Sequence, residues 1–239
     1  MAKKLLSIIM PMYNSRDITT NIKEAIRRLN TIKISYELIV VDDGSTKNCF
    51  EEAKKIKIKN VKVVGYKQNK GKGNAIKYGS GFVSGEYAAF VDSGRDIDPS
   101  QLSNFLKIMD DTGADIVIGS KRHRDSDVHY PLLRIFMSRI YQTANKIIFS
   151  LNVRDTQVGL KLFKSRIFNL IMPKVAVKKF AFDLELLVIA NKLDAKIVEA
   201  PIKIRYRFGS SVNMKAVFWI LWDTAAIFYR DKILHYYDK

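Results

Sequence analysis

Residues 92–98 read Asp-Ser-Gly-Arg-Asp-Ile-Asp, directly behind the apolar run Ala88-Ala89-Phe90-Val91. Carboxylates at this spacing repel one another unless a cation lies between them, and a hard divalent ion carrying a diphosphate is the natural occupant. An apolar run that stops at acidic groups is a buried strand delivering them to the open edge of a sheet, where α/β proteins bind ligands. The alternative is an Asp-rich turn before a helix that begins near Pro99.

Other stretches end in the same way. Strand one, within Leu5-Leu6-Ser7-Ile8-Ile9-Met10, closes at Pro11-Met12-Tyr13-Asn14, and the run Glu37-Leu38-Ile39-Val40-Val41 stops at Asp42-Asp43-Gly44-Ser45-Thr46. Between them Asp17 is placed to cap a helix reaching about Asn30, with Ile18, Ile22, Ala25, Ile26 and Leu29 on one face. A helix over 48–59, a short strand Val61-Lys62-Val63-Val64 and the segment Asn69-Lys70-Gly71-Lys72-Gly73-Asn74-Ala75 opening another helix follow. That glycine-lysine segment either offers backbone N–H groups and positive charge to a phosphate or is an ordinary turn; it is neither a Walker A loop nor a full GxGxxG fingerprint. Strand–helix alternation predicts right-handed crossovers and a mostly parallel, Rossmann-like sheet flanked by helices. A helix to about Asp111, a strand at Asp115-Ile116-Val117-Ile118 and the basic loop Gly119-Ser120-Lys121-Arg122-His123-Arg124 extend the pattern, and no internal repeat interrupts it.

The chain has 239 residues, 47% of them hydrophobic, enough for one full α/β core. Its 41 basic against 24 acidic residues leave +17, which points to a polyanionic partner: nucleic acid, an anionic membrane face or a phosphorylated substrate. Cys49 is the only cysteine, so intramolecular disulfides and cysteine-rich metal sites are excluded and a reducing, cytosolic setting is the simplest expectation. The apolar run behind Met1-Ala2-Lys3-Lys4 is too short for a signal peptide, and no stretch reaches the roughly 18 to 20 apolar residues of a spanning helix. Membrane contact is therefore expected to be peripheral.

Two long helices are apolar and aromatic yet carry cations. Residues 130–151 include Arg134, Arg139 and Lys146; residues 214–237 set Phe218, Trp219, Trp222, Phe228, Tyr229, Tyr236 and Tyr237 among Asp223, Arg230 and Lys232. Such amphipathic helices suit a bilayer interface, with packing against the sheet or a second subunit as the rival, and the charge excess favours the interface. Between them, Asp183 and Glu185 stand two apart, so on a helix they point in different directions; one faces the site while the other caps or braces.

Taken in order, Pro11-Met12-Tyr13-Asn14, Val41-Asp42-Asp43-Gly44-Ser45, Asn69 to Ala75, Asp92 onward, Gly119-Ser120-Lys121, Asp155-Thr156-Gln157-Val158-Gly159-Leu160-Lys161 and Phe182-Asp183-Leu184-Glu185 resemble the family 2 glycosyltransferases of GT-A fold, in the polyprenyl-phosphate branch of dolichyl-phosphate mannose synthase and dolichyl-phosphate glucosyltransferase. The resemblance implies an inverting transferase moving a hexose from a GDP- or UDP-sugar to a polyprenyl or dolichyl phosphate at the cytoplasmic membrane face. It implies that Pro11, Tyr13, Asp42 and Asp43 hold the nucleoside with Lys72 approaching from the glycine loop. Asp155, Gln157 and Lys161 join them in binding substrate. Asp92 matches the first Asp of the family's Asp-x-Asp motif, whose second Asp is Gly94 here, so Asp92 and Asp96 are the implied ligands of Mg²⁺ or Mn²⁺. Ser15 replaces the acidic residue usual after Pro-x-Tyr-Asn. Lys121, where the family commonly has Arg, and Arg134 are implied near the acceptor phosphate, Arg205 or Arg207 at one of the phosphates, and Asp92, Lys121, Arg134 and Asp183 form the catalytic set. The expected layout is a catalytic domain over 1–211 and a C-terminal amphipathic helix over 212–239.

The chemistry needs no dedicated base. A lipid monophosphate, with a second pKa of about 6, is already largely dianionic at neutral pH and attacks a sugar C1 directly, so the protein must above all supply positive charge. A nucleotide-sugar-binding domain without turnover, a transferase with another acceptor, and a nucleic-acid binder are the alternatives; the last lacks any recognised nucleic-acid module.

Overall fold

The computed structural model describes residues 5–94, 96–127, 132–179, 181–204 and 214–238, with the backbone alone at 132–138 and 214–216. The elements are β1 (Leu5–Met12), α1 (Ile18–Leu29), β2 (Ser35–Asp43), α2 (Cys49–Lys54), β3 (Val61–Tyr66), α3 (Lys72–Ser80), β4 (Tyr87–Phe90), a 3₁₀ turn Pro99–Gln101 leading into α4 (Leu102–Thr112), β5 (Ile116–Ser120), α5 (Leu132–Phe149), β6 (Lys161–Lys164), α6 (Ser165–Ile171), α7 (Phe182–Lys192), β7 (Ile197–Pro201) and α8 (Met214–Phe228). Seven strands form one sheet in the order β3-β2-β1-β4-β6-β5-β7.

Buried strands with apolar residues on both faces are what a parallel sheet covered by helices requires. Leu6, Ile8 and Met10 of β1 pack into one layer with α1 and α4, while Ile9 faces the other layer with α3, α6 and α7. Every strand pairing is parallel except those of β6, which runs antiparallel to both β4 and β5. This reversal was not part of the parallel alternation read from the sequence. It puts Lys161, the first residue of β6, opposite Phe90 and Ile118, at the edge where its neighbours deliver their last residues.

The expected elements are present with shifted bounds. Asp17 precedes α1 but makes no side-chain cap; its carbonyl takes the N–H of Asn21 instead. The helix expected over 48–59 ends at Lys54, and the chain turns over Ile58 to start β3. Asp98 caps the Pro99 turn, accepting from the Ser100 N–H at 2.9 Å.

Helix α7 is buried from Phe182 to Ala190, as a helix apolar on nearly every side must be. Its two carboxylates diverge, as their spacing requires. Glu185, with no exposed surface, accepts from the N–H groups of Ala176 (2.9 Å) and Val177 (2.6 Å), pairs with Arg230 at 3.0 Å and accepts a hydrogen bond from the Tyr237 hydroxyl. Those contacts explain why the expected continuous helix over 214–237 breaks. After α8 the chain passes through a π turn, Tyr229–Ile233, and a 3₁₀ turn, Tyr236–Asp238, which folds Tyr237 back against α7. Outward, α8 leaves Phe218, Trp219, Leu221 and Trp222 at least half exposed. Among the described residues no helix is long and apolar enough to cross a membrane.

Replacing Glu185 by Ala strands four donors at once. Urea unfolding at neutral pH is expected to show a loss of about 3–5 kcal/mol, the usual cost of breaking a buried charge network on one side.

Candidate active site

The site gathers at the sheet edge where β1, β2, β3, β4 and β5 end and β6 begins. Asp43, the last residue of β2, is buried and its carboxylate is fully engaged: it accepts from Tyr66 Oη at 2.6 Å, Asn69 Nδ2 at 2.9 Å, the Lys70 N–H at 2.8 Å and the Gly71 N–H at 2.9 Å. Burial, then the Asp43 hydrogen bond, push the Tyr66 hydroxyl pKa upward, so it stays a donor. Asp42 is likewise turned inward, onto the Ser45 N–H (3.1 Å) and Ser45 Oγ (2.5 Å). Asn14, at a left-handed φ of 47°, ties the β1 end to the same turn by accepting from the Thr46 N–H at 2.9 Å. The expected nucleoside-binding group is thus brought to one edge, but Asp42 and Asp43 brace loops and Pro11 is buried in its strand, leaving the half-exposed Tyr13 ring as the open surface.

Clamping by Asp43 also decides the glycine loop. The N–H groups of Lys70 and Gly71 point at Asp43 and that of Asn74 at the Lys178 carbonyl, so these three are not available to cradle a phosphate. Gly71 has φ +99° and a Cβ there would lie 2.5 Å from the Lys178 carbonyl oxygen, while Gly73 sits against the Phe182 ring; both glycines serve close packing. What the loop delivers to the crevice is the Lys72 side chain.

Lys72 Nζ lies 2.7 Å from Asp92 Oδ1 and 3.8 Å from Asp183 Oδ2. Burial works against its charge, but Asp92 and then Asp183 outweigh it and raise its pKa. Lys161 has no exposed surface; its ammonium sits 2.5 Å from Asp183 Oδ1 and donates to the Val158 carbonyl at 2.6 Å. Both ammonium groups lie over the Phe90 ring, 5.9 and 5.4 Å from its centroid. Burial alone lifts the Asp183 pKa, yet Lys161 and Lys72 together bring it below the ordinary carboxylate value. The expectation that Lys161 meets substrate is therefore corrected: enclosed as it is, it positions Asp183.

Asp155 is buried too, accepting from the Lys121 N–H at 3.1 Å and the Gln157 N–H at 3.1 Å, with Lys121 Nζ 3.7 Å away. It fixes the basic loop rather than reaching for ligand, and holds the Lys121 ammonium at the rim close enough to act on Asp183. Gln157 is half-buried beside it. The side chain of Arg134, on α5, and the residues Arg205 and Arg207 lie outside the described part of the structure.

The acidic stretch does not converge on one point. Asp98 is held by Ser100 Oγ (2.7 Å) and Arg28 (3.1 Å), Asp96 is exposed, and a Cβ built on Gly159 would collide with Asp92 Oδ2, which therefore lies on that backbone. The cation at Asp92 is Lys72, which it shares with Asp183 rather than with the other carboxylates of the stretch. Among the described residues no three His, Cys, Asp or Glu side chains are grouped to hold a metal. With Gly94 in the second motif position and Asp92 Oδ1 paired with Lys72, the residues present do not fit the Asp-x-Asp metal site of the family the chain resembles. Gly159 and Phe90 were not singled out from the sequence; the glycine of Gln157-Val158-Gly159 was the available signal.

Fold and crevice together define a glycosyltransferase of GT-A architecture. Residues 7–171 match the model of glycosyl transferase family 2, and the chain belongs to that family. It is 30% identical to a dolichyl-phosphate beta-glucosyltransferase of Dictyostelium discoideum, over 87% of this chain and 68% of the relative, and 27% identical to the Saccharomyces cerevisiae enzyme of that name, over 87% and 69%. Among solved structures, glucosyl-3-phosphoglycerate synthase of Mycobacterium tuberculosis with Mn²⁺, UDP and its product superposes with a TM-score of 0.67 at 18% identity, over 94% of this chain and 80% of that one. Mannosyl-3-phosphoglycerate synthase of Rubrobacter xylanophilus gives 0.72 at 14% identity, over 96% and 75%.

Lys161→Met removes the nearer of the two cations from a buried carboxylate. We expect a loss of about 3–5 kcal/mol in folding stability at neutral pH. Because the folded-state Asp183 pKa is depressed, its stabilisation is present above the unfolded carboxylate pKa and fades as pH falls through the folded value. The gap between wild type and variant should therefore narrow in acid, read by denaturant melts across pH.

Proposed function

We propose that this chain moves glucose from UDP-glucose to a polyprenyl or dolichyl monophosphate, with inversion, while lying on the anionic cytoplasmic face of a membrane. Supporting glucose and UDP over mannose and GDP are the names of the relatives and the UDP held by the solved neighbour. The observation that carries the acceptor is a physical link: the exposed aromatic face of α8 belongs to the helix whose Asp223 accepts the Ala181 N–H at 3.3 Å, two residues before Asp183. A lipid lying along α8 thus has its headgroup beside the crevice. Residues 1–211 act as the transferase and 212–239 as the docking segment, helped by exposed Ile140, Ile147 and the cations Arg139 and Lys146 of α5.

In the transfer, a phosphate oxygen of the acceptor bonds to C1 as the C1–O bond to the diphosphate breaks, and UDP departs. No proton moves at the reacting centre, so what the chain contributes is placement and charge. Tyr13 offers its ring to the base, Lys72 faces the diphosphate, and Lys121 faces the acceptor phosphate. Arg134, Arg205 and Arg207 are assigned to the phosphates by the resemblance. Asp92 and Asp183 keep Lys72 oriented.

The test is transfer of radiolabelled glucose from UDP-glucose to polyprenyl phosphate in detergent, with Mn²⁺ supplied. Product should form and should fall roughly hundredfold in Asp92→Ala, the scale of a misplaced catalytic group. No transfer from UDP-glucose or any other common UDP- or GDP-hexose would sink the proposal. Separately, flotation with phosphatidylglycerol vesicles should carry the protein upward, less so at high salt and less so for a Trp219→Ser, Trp222→Ser double variant.

A further inference from the structure

Charge that grows on a departing nucleoside diphosphate must be met by a cation fixed before the reaction starts. In this chain one is already fixed there. Lys72 is the first residue of α3, where the helix N-terminus adds its own positive potential, and it follows a glycine whose backbone is clamped by Asp43 and pressed against the Lys178 carbonyl. Its ammonium rests on Asp92 Oδ1 at 2.7 Å, with Asp183 Oδ2 at 3.8 Å. The side chain keeps 30% of its surface exposed, so an anion can reach it.

The second motif carboxylate is missing although nothing prevents it. A Cβ on Gly94 would meet no atom nearer than Asp96 Oδ2 at 3.6 Å, and the residue has no left-handed backbone that would demand glycine. Losing the second carboxylate leaves a divalent metal short of oxygen ligands. Asp92 alone does not make up the difference, because one of its oxygens is already paired with Lys72 at 2.7 Å. Asp98 is committed to Ser100 and Arg28, which leaves the exposed Asp96 as the one further carboxylate of the stretch.

We propose that the Lys72 ammonium is the resident cation of the donor site, so that the nucleoside diphosphate is bound and its leaving charge met without a divalent metal. This rests on the reading of the crevice as a nucleotide-sugar site. Asp92 then serves as the positioning residue of Lys72, holding the ammonium where the diphosphate arrives.

Calorimetric titration of the purified chain with UDP, in EDTA and in Mn²⁺, tests this. Wild-type affinity should agree between the two conditions within about threefold. Lys72→Met should bind UDP about 10- to 100-fold more weakly in both, the range for a lost hydrogen bond to a charged group, while Lys72→Arg should retain metal-free binding. Gly94→Asp supplies the missing ligand and should make UDP binding rise with Mn²⁺ and bind Mn²⁺ itself, seen by electron paramagnetic resonance. Should Lys72→Met fail to fold, the comparison of wild type with Gly94→Asp still decides. The inference is overturned if wild-type UDP binding drops tenfold or more in EDTA and returns with Mn²⁺, or if the wild type holds stoichiometric Mn²⁺. Absence of UDP and GDP binding in both conditions overturns it together with the reading it rests on.

Discussion

Four charges share one apolar floor at the end of the sheet. Lys161 and Lys72 flank Asp183, Lys72 continues to Asp92, and the Phe90 ring lies beneath both ammonium groups. Ions removed from water are costly unless matched, and here each carboxylate has a cation and each cation a carboxylate. The match is made by four separate stretches of chain, the ends of β4 and α3's loop, the start of β6 and the first turn of α7. The elements that enclose the crevice are thereby tied to one another through charge as well as through the hydrophobic layers.

Much of the local apolar architecture was legible, because burial on both faces leaves its mark as continuous apolar runs. β1, β2 and β5 were placed within a few residues, and the divergence of Asp183 and Glu185 followed from helical periodicity alone. β6 was invisible: Lys161-Leu162-Phe163-Lys164 is short and flanked by lysines, and its reversed direction is set by partners far away in the chain. The break after Phe228 was equally hidden, since it depends on Tyr237 reaching Glu185 across the fold.

The candidate site was legible in position and less so in role. Acidic residues at strand ends fall together on one edge of the sheet, but a carboxylate looks the same in sequence whether it faces ligand or its own loop. Asp43 and Asp155 spend their oxygens on neighbouring N–H groups, a choice fixed by the turns that follow them. Likewise nothing in the spacing of Lys72 and Asp92 foretold that they meet. Gly94, read as a departure from a motif, gains its meaning from that contact.

The reversed strand has one more consequence. Because β5 leaves the sheet at the crevice edge and β6 re-enters it there, residues 121–160, α5 included, form an excursion that starts and finishes on the same rim. Its length and chemistry can drift without altering the register of any strand or the half of the molecule built from β1, β2 and β3. Where it returns to the rim, at Asp155, Val158 and Gly159 beside Lys121, Lys161 and Asp92, the detour is bound to the rest of the crevice.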